Sequence, residues 1–290
     1  MMLRAFVAVW FAAVPVAATA ATLEEIVEKT VVFGDSLSDP GFFGIQFTDG
    51  DVWATQLGLD TTSGQNFAIG GARAWASVED EPTVVSFDDQ LQLFTDTSPA
   101  FDAYDTAVIW FGGNDLLNVS SPFAVPNAVA EIIEGIEFLA DSFGVDRFIV
   151  PGLPDLGQIP LNLAKSAGDQ FDAMMASIGF NSFLFDALSN LAVSTGLDVR
   201  YVDTFGLFAS ILDEDLFDEE QIPCATLPSC DGHLFYDGIH PTEAAHALVA
   251  GAIAAEFLAP VPVPPSAPLL AGGLLGLIFL RQRRNSPVAS

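Results

Sequence analysis

Five short apolar runs most strongly constrain what this 290-residue chain can fold into. The runs are continuous and do not alternate with polar residues, which is typical of strands that are covered on both faces. Segments with apolar residues at helical spacing separate the runs, so strands alternate with helices. This order predicts an α/β fold around a mostly parallel five-stranded sheet with right-handed crossovers. The runs are residues 30–36, 66–71, 106–113, 146–152 and 198–203.

Three of the predicted helices have clear boundary signals. One helical pattern spans residues 129–143 and stops at Gly144, and a longer or broken one continues to Gly196. The last helix is predicted over residues 242–258, directly after Pro241. Glycine after a helix and proline at its start are ordinary boundary residues.

The first 20 residues have the features of a targeting segment. Arg4 precedes an apolar run, residues 5–16, and a small-x-small triplet follows at residues 18–20. These features indicate a secretory signal peptide, and the apolar run is too short for a spanning helix. The alternative is a helix buried in the fold. We expect residues 1–20 to be the signal peptide and residues 21–259 to form one domain.

The chain is strongly acidic, with 38 acidic residues, nine lysines and arginines and a formal net charge of −29. All of the acids lie within residues 21–259, together with only five of the basic residues. Such a surface repels polyanions, which excludes nucleic acid as a partner. The acidic run 213–220 lacks the alternating ligands and central glycine of a hand-type calcium loop, so a solvated acidic face is the better interpretation.

Two cysteines, Cys224 and Cys230, lie six positions apart. In an exported chain this spacing favours a small-loop disulfide. A redox site would need the tighter Cys-x-x-Cys spacing, and a zinc site would need more ligands. We therefore expect a structural disulfide between them.

The first predicted strand ends in Gly34, Asp35 and Ser36, which places a hydroxyl at the carboxyl edge of the sheet. Open α/β folds bind their ligands at that edge. A serine nucleophile needs a base to accept its proton and an acid to orient the base. Asp237 precedes His240 by three residues, so its carboxylate can reach the imidazole Nδ1 and leave Nε2 for the serine. The sequence therefore predicts a Ser–His–Asp site.

Acyl transfer also needs hydrogen-bond donors where negative charge develops on oxygen. Gly71 and Asn114 both follow predicted strands and qualify as donors. Glycine lets its backbone N–H approach closely, and asparagine offers a side-chain N–H. Either residue alone is an ordinary turn former. Their order along the chain with the serine, aspartate and histidine is what indicates an active site.

Four blocks of the chain resemble those of the GDSL-type SGNH hydrolases, serine esterases and lipases with a flavodoxin-like three-layer fold. VFGDSLSDPG, NFAIGGARA, WFGGND and DGIHPT match the first, second, third and fifth family blocks in order. The resemblance implies Ser36 as nucleophile, with Asp237 and His240 completing the triad. It also implies an oxyanion hole made by the N–H groups of Ser36 and Gly71 and by the Asn114 side chain.

This resemblance implies a secreted carboxylic-ester hydrolase that works through an acyl-enzyme, without a metal or organic cofactor. The substrate would be a small-molecule or lipid ester, and a carbohydrate O-acetyl ester of a surface polysaccharide stays open as an alternative. A non-catalytic surface or matrix binding protein on the same fold is the rival from another class. Residues 39–42 depart from the family's usual Asp-x-Gly-Asn, which affects the loop shape rather than the chemistry. Asp35 and Asp39 are interpreted as loop structure.

The C-terminal tail, residues 260–290, has a composition of its own. A proline-rich spacer precedes a short apolar run, residues 269–280, and three arginines follow it. The run is shorter than a relaxed membrane span, which takes about 20 residues. The tail resembles a PEP-CTERM sorting signal of the Val-Pro-Leu-Pro-Ala variant, and a plain membrane anchor is the alternative. This resemblance implies export, transient membrane contact through the apolar run, handling by export and sorting machinery, and a final place at the cell surface or outside the cell.

We predict that the mature protein lacks the residues after the proline-rich spacer. The arginines should stay on the cytoplasmic side of the inner membrane, and the short run with its three glycines should hold its place only weakly. Peptide mapping of the protein collected from the cell surface and the medium checks this, with no peptides expected from residues 281–290. Intact tail peptides in the bulk of the protein, held in the inner membrane, would leave only the anchor alternative.

Overall fold

The computed structural model describes residues 22–75, 84–97, 103–117 and 124–260. The strands in this part of the chain are β1 (Thr30–Gly34), β2 (Thr106–Trp110), β3 (Arg147–Pro151) and β4 (Asp198–Val202). They form one wholly parallel sheet in the order β1-β2-β3-β4. Every residue of β1 and β2 is buried, as expected for continuous apolar runs covered on both faces.

Helices cover both faces of the sheet and produce three layers. The helices of the described residues are α1 (Leu23–Val27), α2 (Trp53–Gln56), α3 (Phe87–Thr97), α4 (Gly113–Leu117), α5 (Ala124–Phe143), α6 (Pro160–Leu163), α7 (Ala167–Thr195), α8 (Thr204–Asp213) and α9 (Glu243–Leu258), with a 3₁₀ turn at Leu156–Gln158. On one side α5 packs between α3 and α7, and on the other α9 packs against α1 and α2. The α/β fold class predicted from the sequence is confirmed.

Helices α7 and α9 end and begin at capping residues, of which the sequence predicts Gly196. Helix α7 ends at Gly196, whose φ of +81° is the left-handed conformation that glycine adopts without strain. Thr242 caps α9, since its hydroxyl accepts from the N–H of Ala245. At its other end α7 begins with a capping box formed by Ser166 and Asp169.

The predicted signal peptide, residues 1–20, lies outside the described residues, as does the tail after residue 260. Among the helices of the described ranges, none combines the length and the apolar character that crossing a membrane requires.

The described residues contain four strands where the sequence predicts five, and the difference lies at residues 66–71. This segment runs parallel to β1 and is joined to Val32 and Gly34 by backbone hydrogen bonds of 2.7–3.1 Å. A regular ladder would next bond the N–H of Gly34 to this segment, but that N–H donates to Gln90 Oε1 at 3.0 Å. The Gln90 side chain therefore replaces one backbone bond, and the segment is not a full strand.

The segment beside β1 nevertheless determines where the order of strand succession in the sheet changes direction. It lies on one side of β1 and β2 lies on the other, so the direction of strand succession changes between β1 and β2. Doubly wound sheets bind ligands outside the carboxyl ends of the strands at such a switch point. Ser36 follows β1 and Asn114 follows β2, so both lie at this position.

Buried carboxamide side chains hold the strand ends at this edge. Gln90 accepts from the N–H of Gly34 and donates to its carbonyl oxygen at 2.7 Å. Asn181 makes the same pair of bonds with Leu153, two residues after β3, at 2.7 and 2.8 Å. These bonds satisfy backbone groups that would otherwise lie unpaired in the core, which costs about 1–3 kcal/mol for each group.

We predict that Gln90→Leu lowers the free energy of unfolding by about 1–3 kcal/mol, because it leaves the N–H of Gly34 without its acceptor. Gln92→Leu is the matched control, since Gln92 lies on the exposed side of the same helix and should change stability by no more than about 0.5 kcal/mol. Urea unfolding of both variants measures the difference. Equal effects of the two substitutions would show that the bonds of Gln90 do not support β1.

Candidate active site

The structure brings together the serine, histidine and aspartate that the sequence singles out. The Nε2 atom of His240 lies 2.8 Å from Ser36 Oγ. On the other side of the ring, Nδ1 lies 2.8 and 2.9 Å from the two carboxylate oxygens of Asp237. Ser36 and His240 are buried, with relative exposures of 7% and 9%. In this arrangement an imidazole can accept a hydroxyl proton while a carboxylate holds its other nitrogen.

Asp237 is held in place by more than the imidazole. Its Oδ1 atom also accepts from the backbone N–H groups of Ile239 and His240, each at 2.8 Å. Burial opposes the charged form of Asp237, but the hydrogen bonds from the side chain and backbone of His240 and from Ile239 outweigh it and lower the pKa of Asp237 below its ordinary value. The carboxylate therefore stays ionised and favours the tautomer whose proton is on Nδ1 and whose Nε2 faces the serine.

A disulfide supports the segment before the aspartate. Cys224 and Cys230 are bonded to each other, as the sequence predicts. The N–H groups of Cys224 and of the next residue donate to the carbonyl oxygens of residues 235 and 236, at 3.2 and 2.7 Å. The bridged loop is therefore fastened to the chain directly upstream of Asp237.

Two of the predicted oxyanion donors, the backbone N–H groups of Ser36 and Gly71, are free of protein acceptors in the described ranges. Ser36 lies in the turn after β1, in which the carbonyl oxygen of Asp35 accepts from the N–H groups of Ser38 and Asp39 at 3.0 Å. Within the described ranges, the N–H groups of Ser36 and Gly71 donate to no protein acceptor. Gly71 has a φ of +81°, which only glycine adopts without strain. Both groups are available to a ligand.

Asn114 is anchored beside this site at the start of α4. Its Nδ2 atom donates to the carbonyl oxygen of Ala72 at 3.0 Å, and only a long contact of 3.4 Å joins it to Asp35 Oδ2. The neighbouring Asp115 accepts from the N–H groups of residues 74 and 75, at 3.0 Å each. These bonds fasten α4 to the segment that carries the predicted glycine donor.

Two buried carboxyl groups flank Asn114. Asp35 has a relative exposure of 3% and Asp115 of 1%. Burial raises the pKa of Asp35 to about 7, helped by the charge of Asp115 and opposed by the N–H of Leu37 and by His240. Burial likewise raises the pKa of Asp115 to about 6. The sequence treats Asp35 as a loop residue, but the structure places it on the wall of the active-site cavity.

Asp39 does have the loop role that the sequence assigns to it. Its Oδ1 atom accepts from the N–H groups of Gly41 and Phe42, at 2.8 and 2.6 Å. Its Oδ2 atom accepts from the N–H of Gly70 at 2.7 Å. The loop held in this way ends at Phe47, whose ring lies 5.1 Å from the imidazole of His240. The loop therefore covers one side of the histidine.

A cavity of about 390 Å³ opens beside Ser36. Asp35 and Asn114 line it on the sheet side, and helix α8 and the loop after β3 line it on the other. The sequence gives no signal for this cavity, because its walls come from distant apolar segments, each of which has the pattern of an ordinary core segment.

The other two histidines of the described residues lie apart from this cavity. His246 is buried in α9, and burial lowers its pKa to about 3. The Nδ1 atom of His233 lies 2.8 Å from the carbonyl oxygen of Ile222.

The model of the family described as GDSL-like Lipase/Acylhydrolase matches residues 30–253. The chain therefore belongs to this family, the one that its four sequence blocks resemble.

Individual relatives are more distant. The thermolabile hemolysin of Vibrio parahaemolyticus is 24% identical over 277 residues, covering 80% of this chain and 64% of the hemolysin. Lipase 1 of Photorhabdus luminescens is 32% identical over 150 residues, covering 44% of this chain and 22% of that lipase. The chain thus spans less than two thirds of either relative. The crystal structure of a catalytic mutant of Axe2, an acetylxylan esterase from Geobacillus stearothermophilus, aligns with a TM-score of 0.47 and 16% identity, covering 79% of this chain and 94% of that one.

We predict that Asp35→Asn stabilises the protein in a pH-dependent way. The pKa of Asp35 is raised to about 7 in the folded state, so the folded protein holds a proton that the unfolded chain releases above about pH 4. Stability is therefore lost as the pH rises from about 4 to 7 in the wild type, and Asn removes this loss. The free energy of unfolding of the variant should gain about 1–4 kcal/mol on the wild type between pH 4.5 and 8, measured by urea unfolding. A difference that does not change with pH would contradict a proton held by Asp35.

Proposed function

We propose that the chain is a serine carboxylic-ester hydrolase that works through an acyl-enzyme on Ser36. The observation that carries the proposal is the chain of hydrogen bonds from Asp237 through His240 to the hydroxyl of Ser36. Membership of the lipase and acylhydrolase family supports an ester as the substrate. One relative is named a lipase, which favours a lipid ester over a carbohydrate ester.

In the first half of the reaction, Ser36 Oγ attacks the ester carbonyl carbon and its proton passes to His240 Nε2. The ester C–O bond then breaks, and the alcohol leaves with that proton. In the second half, a water molecule attacks the acyl-enzyme and gives a proton to His240, which returns it to Ser36 as the carboxylic acid leaves. Asp237 stabilises the imidazolium that forms in each half.

The oxyanion of each tetrahedral intermediate would be bound by the N–H groups of Ser36 and Gly71 and by the Asn114 side chain. Two observations support this role: the backbone N–H groups have no competing acceptor in the described ranges, and one N–H of Asn114 makes only a long contact with Asp35. A single donor of this kind is worth about 10²–10³ in kcat. Below about pH 7, a proton held by Asp35 also keeps a second negative charge away from the oxyanion.

We also propose that the enzyme acts outside the cytoplasm. The disulfide between Cys224 and Cys230 supports this, because such bonds persist in oxidising compartments. The predicted signal peptide and tail point the same way.

We predict that Ser36→Ala and His240→Ala each lower kcat for a p-nitrophenyl ester at least about 1,000-fold, because triad members act as a unit. The double variant should be no slower than the worse single variant, which distinguishes loss of the triad from two independent effects. Ser63→Ala, on an exposed loop, is the control and should keep kcat within about twofold. Retention of most of the activity in Ser36→Ala, with the folded state intact, would refute the assignment.

A further inference from the structure

The walls of the cavity beside Ser36 are mostly apolar. Apart from Asp35 and Ser36, its buried lining side chains are apolar and come from β2, the segment after β3, helix α8 and the segments on either side of His240. They include Trp110, Leu153, Leu156, Ile159, Phe208 and Phe235, each with a relative exposure of 5% or less. These segments meet only in the folded protein, so the cavity belongs to the tertiary structure rather than to any one loop.

The polar groups of the cavity are confined to two places. At the inner end are the active-site groups Asp35, Ser36 and Asn114. At the outer rim are Asp155, which is half-buried, and Gln158 and Asp213, which are exposed. No lysine or arginine of the described residues lines the cavity. The remaining lining side chains are apolar.

A short acyl group would leave most of this space unused. The cavity volume is about 390 Å³, and a methylene group takes about the 30 Å³ share of one water molecule, so on the order of ten methylenes fit. The ring of a sugar would bring hydroxyl groups against walls that cannot bond them, which is unfavourable. A linear apolar chain contacts the apolar walls and buries no polar group without a hydrogen-bond partner.

We infer that this cavity binds the acyl chain of the substrate, and that the substrate is an ester of a linear chain of roughly six to twelve carbons. The inference rests on the proposed function, because it assigns the acyl side of the same reaction. In this arrangement the ester carbonyl lies at Ser36 and the chain extends between α8 and the 3₁₀ turn.

The test is a series of p-nitrophenyl esters from acetate to dodecanoate, hydrolysed by the full-length protein below the concentrations at which the esters aggregate. The expected result is a rise in kcat/KM of about fourfold for each added methylene up to at least the hexanoate, followed by a plateau. A kcat/KM that is highest for acetate and falls with chain length would overturn the acyl-pocket assignment while leaving ester hydrolysis standing. No hydrolysis of any ester would contradict the proposed function itself and the inference with it.

Two variants of α8 test the location of the pocket. Ala209→Phe adds bulk at a lining position and should lower the octanoate-to-acetate ratio of kcat/KM at least about tenfold. Phe208→Ala enlarges the pocket and should move the chain length at which kcat/KM reaches its plateau upwards by two or more carbons. Ser210→Phe adds the same bulk to an exposed position of the same helix that does not line the cavity, and should keep the wild-type ratio. Chain-length profiles of both pocket variants that match the profile of Ser210→Phe would place the acyl chain elsewhere.

Discussion

The sheet, the core and the active site meet at Gly34, the last residue of β1. A Cβ atom at this position would come within 2.9 Å of the carbonyl oxygen of Trp110 and of Ser38 Oγ, so any side chain would push β1 from β2 or displace the turn that carries Ser36. The same residue is bound on its outer side by both ends of the Gln90 carboxamide. Close packing on both sides therefore determines where the nucleophile lies relative to Asn114.

The carboxyl groups of the site differ in the direction in which their pKa values are shifted. Asp237 keeps a lowered pKa and faces the imidazole, where a negative charge stabilises the protonated ring. Asp35 and Asp115 have raised pKa values and lie beside Asn114, where a negative charge would oppose the oxyanion. Environments that shift the pKa values of neighbouring carboxyl groups in opposite directions are typical of acid–base sites. Burial raises the pKa of Asp35 to about 7 and that of Asp115 to about 6, so both groups hold a proton to a higher pH than an exposed carboxyl group does.

Much of the fold follows from local pattern, because a strand covered on both faces needs a continuous apolar run wherever it occurs. That rule predicts the four strands that pair fully. It fails at residues 66–71, since nothing in the local sequence marks Gln90 as the side chain that replaces a backbone bond. The glycine after α7 is predicted correctly because its effect depends only on the adjacent backbone.

The features of the candidate site likewise fall into two groups, those that the local sequence predicts and those that depend on tertiary packing. Ser36, Asp237 and His240 can be chosen from sequence because the chemistry demands those residue types in a defined relation. The cavity beside Ser36 cannot be predicted from the sequence, because its walls are apolar residues of distant segments that meet only when α8 packs near the loop after β3. The altered pKa of Asp35 is equally hidden, since it arises from burial and not from its neighbours in the chain.

The most direct test of the central claim, that His240 activates Ser36 as a nucleophile, is the reaction of the full-length protein with a fluorophosphonate. One adduct per chain is expected, located on Ser36 by fragmentation of the peptide that contains it. His240→Ala should react far more slowly although Ser36 is still present. Labelling of a different residue, or labelling of His240→Ala at the wild-type rate, would contradict the account.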